Sequence, residues 1–293
     1  MTALLESGDI EVKGVVTNPD RPAGRGMKLK PSPVKELAVA AGVEVVQPEK
    51  ARDPELAIWL ADADADVAVV VAYGKILPAS LLEIPRLGFV NVHFSLLPRY
   101  RGAAPVQRAV MDGVSETGVS IMVLTEGMDE GPVLATEVVA VGEDQTAGEV
   151  GDELARVGAP LLVEALRGYG AGSLRPIEQD HSGATYASKI TPEDARIDWS
   201  ASSRRIRDLV RGCNPIPGAW TTLDGRRLKV HRVRPAPGTG ARAPGAARAA
   251  ESLVAGTGDD PLEIVEGQME GRTRMTGAEL ARGLRLDPDA RFG

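Results

Sequence analysis

Hydrophobic residues in the first half of the chain fall into short β-branched runs, separated by stretches in which they recur every three or four positions. The runs IEVKGVV (Ile10 to Val16), VEVVQ (Val43 to Gln47), DVAVVVAYG (Asp66 to Gly74), GFVNVHF (Gly88 to Phe94) and GVSIMVLT (Gly118 to Thr125) predict strands. Between them SPVKELAVAAG, PELAIWLADADA and APVQRAVMDG predict helices, each opened by a serine, aspartate or proline start signal. Near-continuous apolar strands such as VAVVVA suit a mostly parallel sheet covered on both faces. TAGEVGDELARVGAPLLVEALRGYG then reads as a long helix closing an α/β domain.

The pattern changes near Gly170. A polar stretch without sustained period follows, which places a linker at 175–193 between a first domain, 1–174, and a second, 194–293. The second opens with a basic helix, RRIRDLVRGCNP, and continues in short strand-like runs with Asp224-Gly225 as a hairpin turn. Short strands spaced by turns predict a small β-barrel. PAPGTGARAPGAARAA, Pro235 to Ala250, reads as a low-complexity loop.

Composition narrows the classes. At 293 residues the chain can bury two cores. It has neither an apolar run near the ~18 residues of a membrane span nor a signal-peptide pattern at its start, so a cytoplasmic protein is expected. One cysteine, Cys213, excludes an internal disulfide, and three scattered histidines argue against a metal centre. The net charge of −7 is uneven: Arg21 to Lys35 carries +5 and Lys189 to Arg234 carries +6, which leaves −18 elsewhere. Such a division suits a protein that meets a polyanion on one face, and equally suits ordinary solvated surface.

One of the three histidines, His93, stands two places after Asn91 at the end of a predicted strand. A period of two puts both side chains on one face, at the carboxyl edge of the sheet where open α/β folds place ligand crevices. Asp129, on the glycine-bounded turn EGMDEGP after the next strand, is expected at the same edge. An amide that donates to an oxyanion, an imidazole that exchanges a proton and a carboxylate that orients it would serve acyl transfer. Singly, each residue is equally a solvated strand end or a turn aspartate.

NVHFSLLPRYRGAAPVQ followed by GVSIMVLTEGMDEGP resembles the catalytic core of the folate-dependent formyltransferases. VVTNPDRPAGRGMKLKPSPVK, VVVAYGKILP, ARIDWS and CNPIPGAW are similar to the branch of that family that formylates methionyl-tRNA, and the likeness runs through nearly the whole chain, weakest across Pro235 to Ala250. The resemblance implies a Rossmann-like formyltransferase domain followed by a C-terminal barrel of the oligonucleotide-binding type. It implies Asn91, His93 and Asp129 as catalytic residues, 10-formyltetrahydrofolate as donor, initiator methionyl-tRNA as acceptor, and no metal. Donor binding falls on Tyr73, Gly74, Lys75, Ile76 and Leu77 and on Ser95, Leu96, Leu97 and Pro98. The basic loop would enter the tRNA acceptor stem, with Arg25 foremost and Lys28, Lys30 and Lys35 adding attraction. Lys189 and the helix residues Arg204, Arg205, Arg207 and Arg211 are further tRNA candidates, and Arg226, Arg227 and Lys229 lie on a basic strand. A monomer is expected.

Two departures qualify the likeness. Met1 falls inside the helix that follows the family's first strand, so that strand is missing and an upstream extension or a truncation is expected. Phe94 stands where many relatives have a small residue. The rival readings are a formyltransferase for a nucleotide-linked amino sugar, which would not need the basic loop, and a tRNA-binding protein with impaired catalysis.

Overall fold

The computed structural model describes residues 1–23, 28–236, 243–249, 251–287 and 289–293. The chain divides into two compact units, one of Met1–Ala103, Gly118–Val139 and Leu154–Tyr186, the other of Ala104–Thr117, Ala140–Glu153 and Ala187–Gly293. The elements α1 (Thr2–Glu6), β1 (Val15–Val16), β2 (Arg21–Ala23), β3 (Lys28–Lys30), α2 (Pro33–Ala40), β4 (Val45–Val46), α3 (Pro54–Asp62), β5 (Ala68–Val70), α4 (Ala79–Leu82) and β6 (Phe89–His93) come first. Next are α5 (Pro105–Met111), β7 (Glu116–Val123), β8 (Val133–Ala140) and α6 (Ala147–Gly170).

Helix starts obey the sequence signals. Ser32 accepts the Lys35 N–H at 3.2 Å with Pro33 in the first turn of α2, and Thr146 and Glu149 cap α6 reciprocally. Leu154, Gly158, Leu162 and Leu166, every fourth residue of α6, are buried. A Cβ on Gly158 would stand 3.1 Å from Val119 and 3.4 Å from Val92, so the missing side chain lets α6 lie close on β6 and β7.

The first unit holds a four-stranded sheet, β5-β6-β7-β8, and a separate parallel pair, β1 with β4. β5 and β6 are parallel, but β6 and β7 are antiparallel, with Val90 opposite Val123 and His93 opposite Ser120. The end of β7 therefore lies beside the start of β6, not beside its end as expected from the sequence. Periodicity tells which face a side chain takes, and nothing about strand direction. β1 has no strand partner but β4, and β5 none but β6, among the described residues. Both are only half-buried, whereas Phe89, Val90 and Val92 of β6 are buried.

The stretch read as a linker groups with the first unit as far as Tyr186. Ile177 exchanges backbone hydrogen bonds with Val133 at 2.8 and 2.9 Å, and Tyr186 bridges Arg101. Isolated bridges of this kind leave no repeating pattern in the sequence.

The second unit contains α7 (Ser203–Gly212), β9 (Ala219–Leu223), β10 (Arg226–Pro235), β11 (Ala247–Ala249), β12 (Leu253–Ala255), β13 (Leu262–Met269), β14 (Met275–Thr276) and α8 (Gly277–Gly283). Its antiparallel sheet has the order β11-β12-β13-β10-β9, with β14 on β13. The hairpin turn falls at Asp224 and Gly225, at φ 50° and 71°, as expected for a two-residue loop. The core gathers Ile197, Ile206, Leu228, Leu253 and Ile264, and the Trp199 ring stacks on Phe292 at 4.9 Å. Helix α5, which a boundary at 174 would leave in the first domain, packs here against α7: a Cβ on Gly212 would stand 3.0 Å from the Gln107 carbonyl.

Candidate active site

His93 closes β6 with 5% of its surface exposed. Its Nε2 lies 3.0 Å from the Tyr100 carbonyl, and its Nδ1 lies 3.6 Å from Asp129 Oδ2. A carbonyl only accepts, so Nε2 carries the proton and Nδ1 turns its lone pair toward the carboxylate. At 3.6 Å the Asp129 contact is too long for a hydrogen bond, so the Tyr100 carbonyl orients the ring and Asp129 acts on it as a charge. This corrects the expectation that Asp129 holds His93 directly. Burial pushes the His93 pKa down, while Asp129 and the Tyr100 carbonyl oppose that push without reversing it. That push favours the uncharged imidazole, the form able to take a proton.

The loop between β7 and β8, residues 124–132, carries Asp129 to this point in a left-handed conformation, φ 50°. Its Oδ2 accepts the Gly102 N–H at 2.7 Å. Asn91 is half-buried two residues before His93, and its carboxamide makes no hydrogen bond among the described residues. A free donor, a neutral base and a carboxylate are thus gathered at one strand end, a set able to stabilise an oxyanion and move a proton.

Three buried polar residues missed from the sequence support this cluster. Ser120, 0% exposed, donates to the Ser95 carbonyl at 2.7 Å and accepts the Leu97 N–H at 3.1 Å, so it ties down the turn after His93. Its signal was a lone polar residue inside the apolar strand GVSIMV. Arg101 and Gln179, 78 residues apart, bond to each other at 3.1 and 2.6 Å. No local pattern could have joined them.

The donor-pocket candidates divide. Ile76 is 88% exposed, Gly74 (φ 74°) has open space beside it, and Leu77, Leu96, Leu97 and Pro98 are half-buried. The Tyr73 hydroxyl is buried without a hydrogen-bond partner, and burial raises its pKa. By contrast Ser95 is fully buried with its hydroxyl given to the Arg99 carbonyl, and Lys75 donates to the Pro48 and Glu49 carbonyls. Both serve the fold. Among the described residues no group of three or more His, Cys, Asp or Glu is placed to hold a metal.

The basic candidates divide too. Arg25 lies outside the described residues, as do positions 237–242 and 250 of the low-complexity loop; Lys28 and Lys30 fall on β3, with Lys30 exposed. Lys35 is drawn inward by Asp20 at 2.7 Å and Gln47 at 2.6 Å. Lys189, Arg204 and Arg205 are exposed. Arg207 lines a cavity of about 210 Å³ with Arg232 and Arg234, its Nε buried and unpartnered. Arg211 is 7% exposed and spends its guanidinium on Asp208 and the Gly142 and Gln145 carbonyls, so it is a structural ion pair and not a solvent-facing cation. No helix among the described residues is long and apolar enough to cross a membrane.

Known proteins match both parts. The formyl transferase family model matches residues 1–166, and the model of the formyl transferase C-terminal domain matches 189–285. The methionyl-tRNA formyltransferase of Streptomyces coelicolor is 46% identical over 100% of this chain and 95% of its own length. That of Symbiobacterium thermophilum is 48% identical over 100% and 90%. Among solved structures, HypX from Aquifex aeolicus with tetrahydrofolic acid shares the fold at a TM-score of 0.63 and 18% identity, over 83% of this chain and 43% of HypX. The sugar 3N-formyl transferase WlaRD does so at 0.64 and 16%, over 92% and 90%. With two domain models in order and relatives near half identical over its full length, the chain belongs to the methionyl-tRNA formyltransferases of the formyl transferase family.

Proposed function

We propose that the protein transfers the formyl group of 10-formyltetrahydrofolate to the α-amino group of initiator methionyl-tRNA, with Asn91, His93 and Asp129 as the reacting groups. The observation that carries the assignment is the free Asn91 carboxamide two residues from a buried imidazole set between the Tyr100 carbonyl and the Asp129 carboxylate. The donor supplies an activated formyl carbon, and attack by an amine places negative charge on the formyl oxygen. Asn91 is free to donate a hydrogen bond to that oxygen, a contact that strengthens as the charge grows. His93 takes up a proton at Nδ1, Asp129 at 3.6 Å favours the imidazolium that results, and the proton passes to the folate nitrogen as its bond to the formyl carbon breaks and tetrahydrofolate leaves. The Tyr100 carbonyl keeps the ring from turning away.

The segment Tyr73 to Leu77 fits a folded heterocycle. Tyr73 offers a buried hydroxyl without a protein partner, Gly74 leaves room, and Ile76 presents an uncovered apolar side chain. Leu96, Leu97 and Pro98 supply a second wall. For the acceptor, Arg25, Lys28, Lys30, Lys189, Arg204, Arg205 and Arg207 are the cations we assign to phosphate attraction, without Lys35 and Arg211. The protein acts as a cytoplasmic monomer on this reading.

Incubation with donor and charged initiator tRNA, followed by analysis of the aminoacyl product, tests the assignment. Asn91→Ala and His93→Ala are expected to lower turnover on the order of 100-fold while folate and tRNA affinity hold. Near-normal turnover in both variants would place the chemistry elsewhere.

A further inference from the structure

Gln179 is 8% exposed, yet every polar atom of its side chain is engaged with the segments that build the site. Its Nε2 donates to the Asp129 carbonyl at 2.9 Å and the Gly131 carbonyl at 2.7 Å. Its Oε1 accepts from Arg101 Nε at 3.1 Å and Nη2 at 2.6 Å. The orientation of the amide is fixed by chemistry: carbonyls only accept and a guanidinium only donates, so the reversed amide would face mismatched partners at both ends. Arg101, 2% exposed, also lies 3.2 Å from His181 Nδ1, and its backbone N–H donates to the Thr185 carbonyl at 2.9 Å.

These bonds close a circuit. Tyr100 orients His93 through its carbonyl, the next residue, Arg101, grips Gln179, and the one after, Gly102, donates to Asp129 Oδ2. Gln179 holds the same aspartate by its backbone, across a left-handed residue that has no helix or strand of its own to keep it in place. We infer that Gln179, locked by Arg101, is a positioning residue for formyl transfer: it fixes the Asp129 turn and thereby the distance between the carboxylate and His93. Neither side chain needs to touch substrate. The inference rests on the assignment of His93 and Asp129 made above.

The chain's three histidines make the test legible, since the His93 imidazole signal can be identified by its loss in His93→Ala. Gln179→Leu removes the clamp at similar volume. It is expected to lower kcat about 10-fold or more with both KM values changed less than about twofold, as for loss of an interaction used in the transition state. The NMR titration midpoint of His93 should move to lower pH, as is also expected for Asp129→Asn, because the carboxylate that supports the imidazolium has shifted away. Arg101→Leu combined with Gln179→Leu should be no worse than Gln179→Leu alone, the non-additivity expected of one unit.

Gln179→Asn keeps the amide but shortens its reach, and serves as the same test if the leucine variant fails to fold. A folded Gln179 variant with wild-type kcat and an unmoved His93 titration overturns the inference, even where its melting temperature has dropped. The two levels separate cleanly. Wild-type turnover in His93→Ala sinks the site assignment, whereas loss of turnover there together with unaltered Gln179 variants sinks only the positioning role.

Discussion

Ser120→Ala removes one oxygen and strands two backbone groups. Ser120 Oγ serves the Ser95 carbonyl at 2.7 Å and the Leu97 N–H at 3.1 Å, and the serine itself is 0% exposed, so alanine leaves an acceptor and a donor without partners. A buried group deprived of its hydrogen bond costs about 1 to 3 kcal/mol. The Leu97 amide is only partly buried and contributes at the low end, so the total is on the order of 2 to 4 kcal/mol. At roughly 2 to 4 °C per kcal/mol for a protein of this size class, the melting temperature falls by about 4 to 16 °C. The turn so loosened runs from Ser95 to Pro98, directly after His93, and includes the leucines assigned to the donor wall. Folate affinity should therefore weaken along with stability. Differential scanning calorimetry and a fluorescence titration with tetrahydrofolate measure the two effects. A variant that melts within a degree of wild type and binds folate equally well refutes the view that Ser120 pins this turn.

In the second unit, Arg205→Ala should weaken tRNA binding and lower its salt dependence without altering the melting temperature, read by filter binding across a salt series. Arg211→Ala should do the reverse and lower stability first, since it leaves the buried Asp208 carboxylate, 5% exposed, with only the more distant Arg204 at 3.9 Å. Asp259 accepts the Ser203 and Asp260 N–H groups, and these bonds hold its pKa at about 2, below the ordinary 3.8. A depressed pKa stabilises the fold above the unfolded value and is lost as pH falls. Urea midpoints should therefore decline between about pH 4 and pH 2, and less steeply in Asp259→Asn.

Much of this was legible in the chain because it depends on neighbours in sequence. The pairing of Asn91 with His93 follows from strand parity, the Asp224-Gly225 hairpin from the need for positive φ, and the start of α2 from the reach of a serine oxygen to an amide three residues on. What stayed hidden involves partners far apart in sequence. Strand β7 runs against β6, so Asp129 arrives by a loop and not by a strand end. Helix α5 groups with the second unit, where Gly212 of α7 lets it pack close, and Gln179 sits in an aperiodic stretch whose partners lie 48 to 78 residues away. Charge misled in the same way. Lys35 and Arg211 read as cations for a polyanion, but each has a carboxylate close by in the fold, Asp20 and Asp208.

The separation of the β1–β4 pair from the four-stranded sheet bears on how the molecule opens. A two-stranded parallel ladder of two residues per strand is held by few hydrogen bonds, and among the described residues β5 pairs with β6 alone and adds none to it. Such a segment is expected to exchange its amide hydrogens through local fluctuations before the α6-covered strands do. Tyr73 to Leu77 leaves the end of β5, and the Asn18 amide, just beyond β1, reaches across to the Tyr73 carbonyl at 3.0 Å. The segment we assign to the donor and this lightly held backbone thus meet at one hydrogen bond. Any ligand that binds this segment only when it is folded stabilises it, by about 2.7 kcal/mol at a concentration one hundred times Kd. Folate occupancy would then be written into the proteolytic lifetime of the first seventy or so residues as well as into turnover.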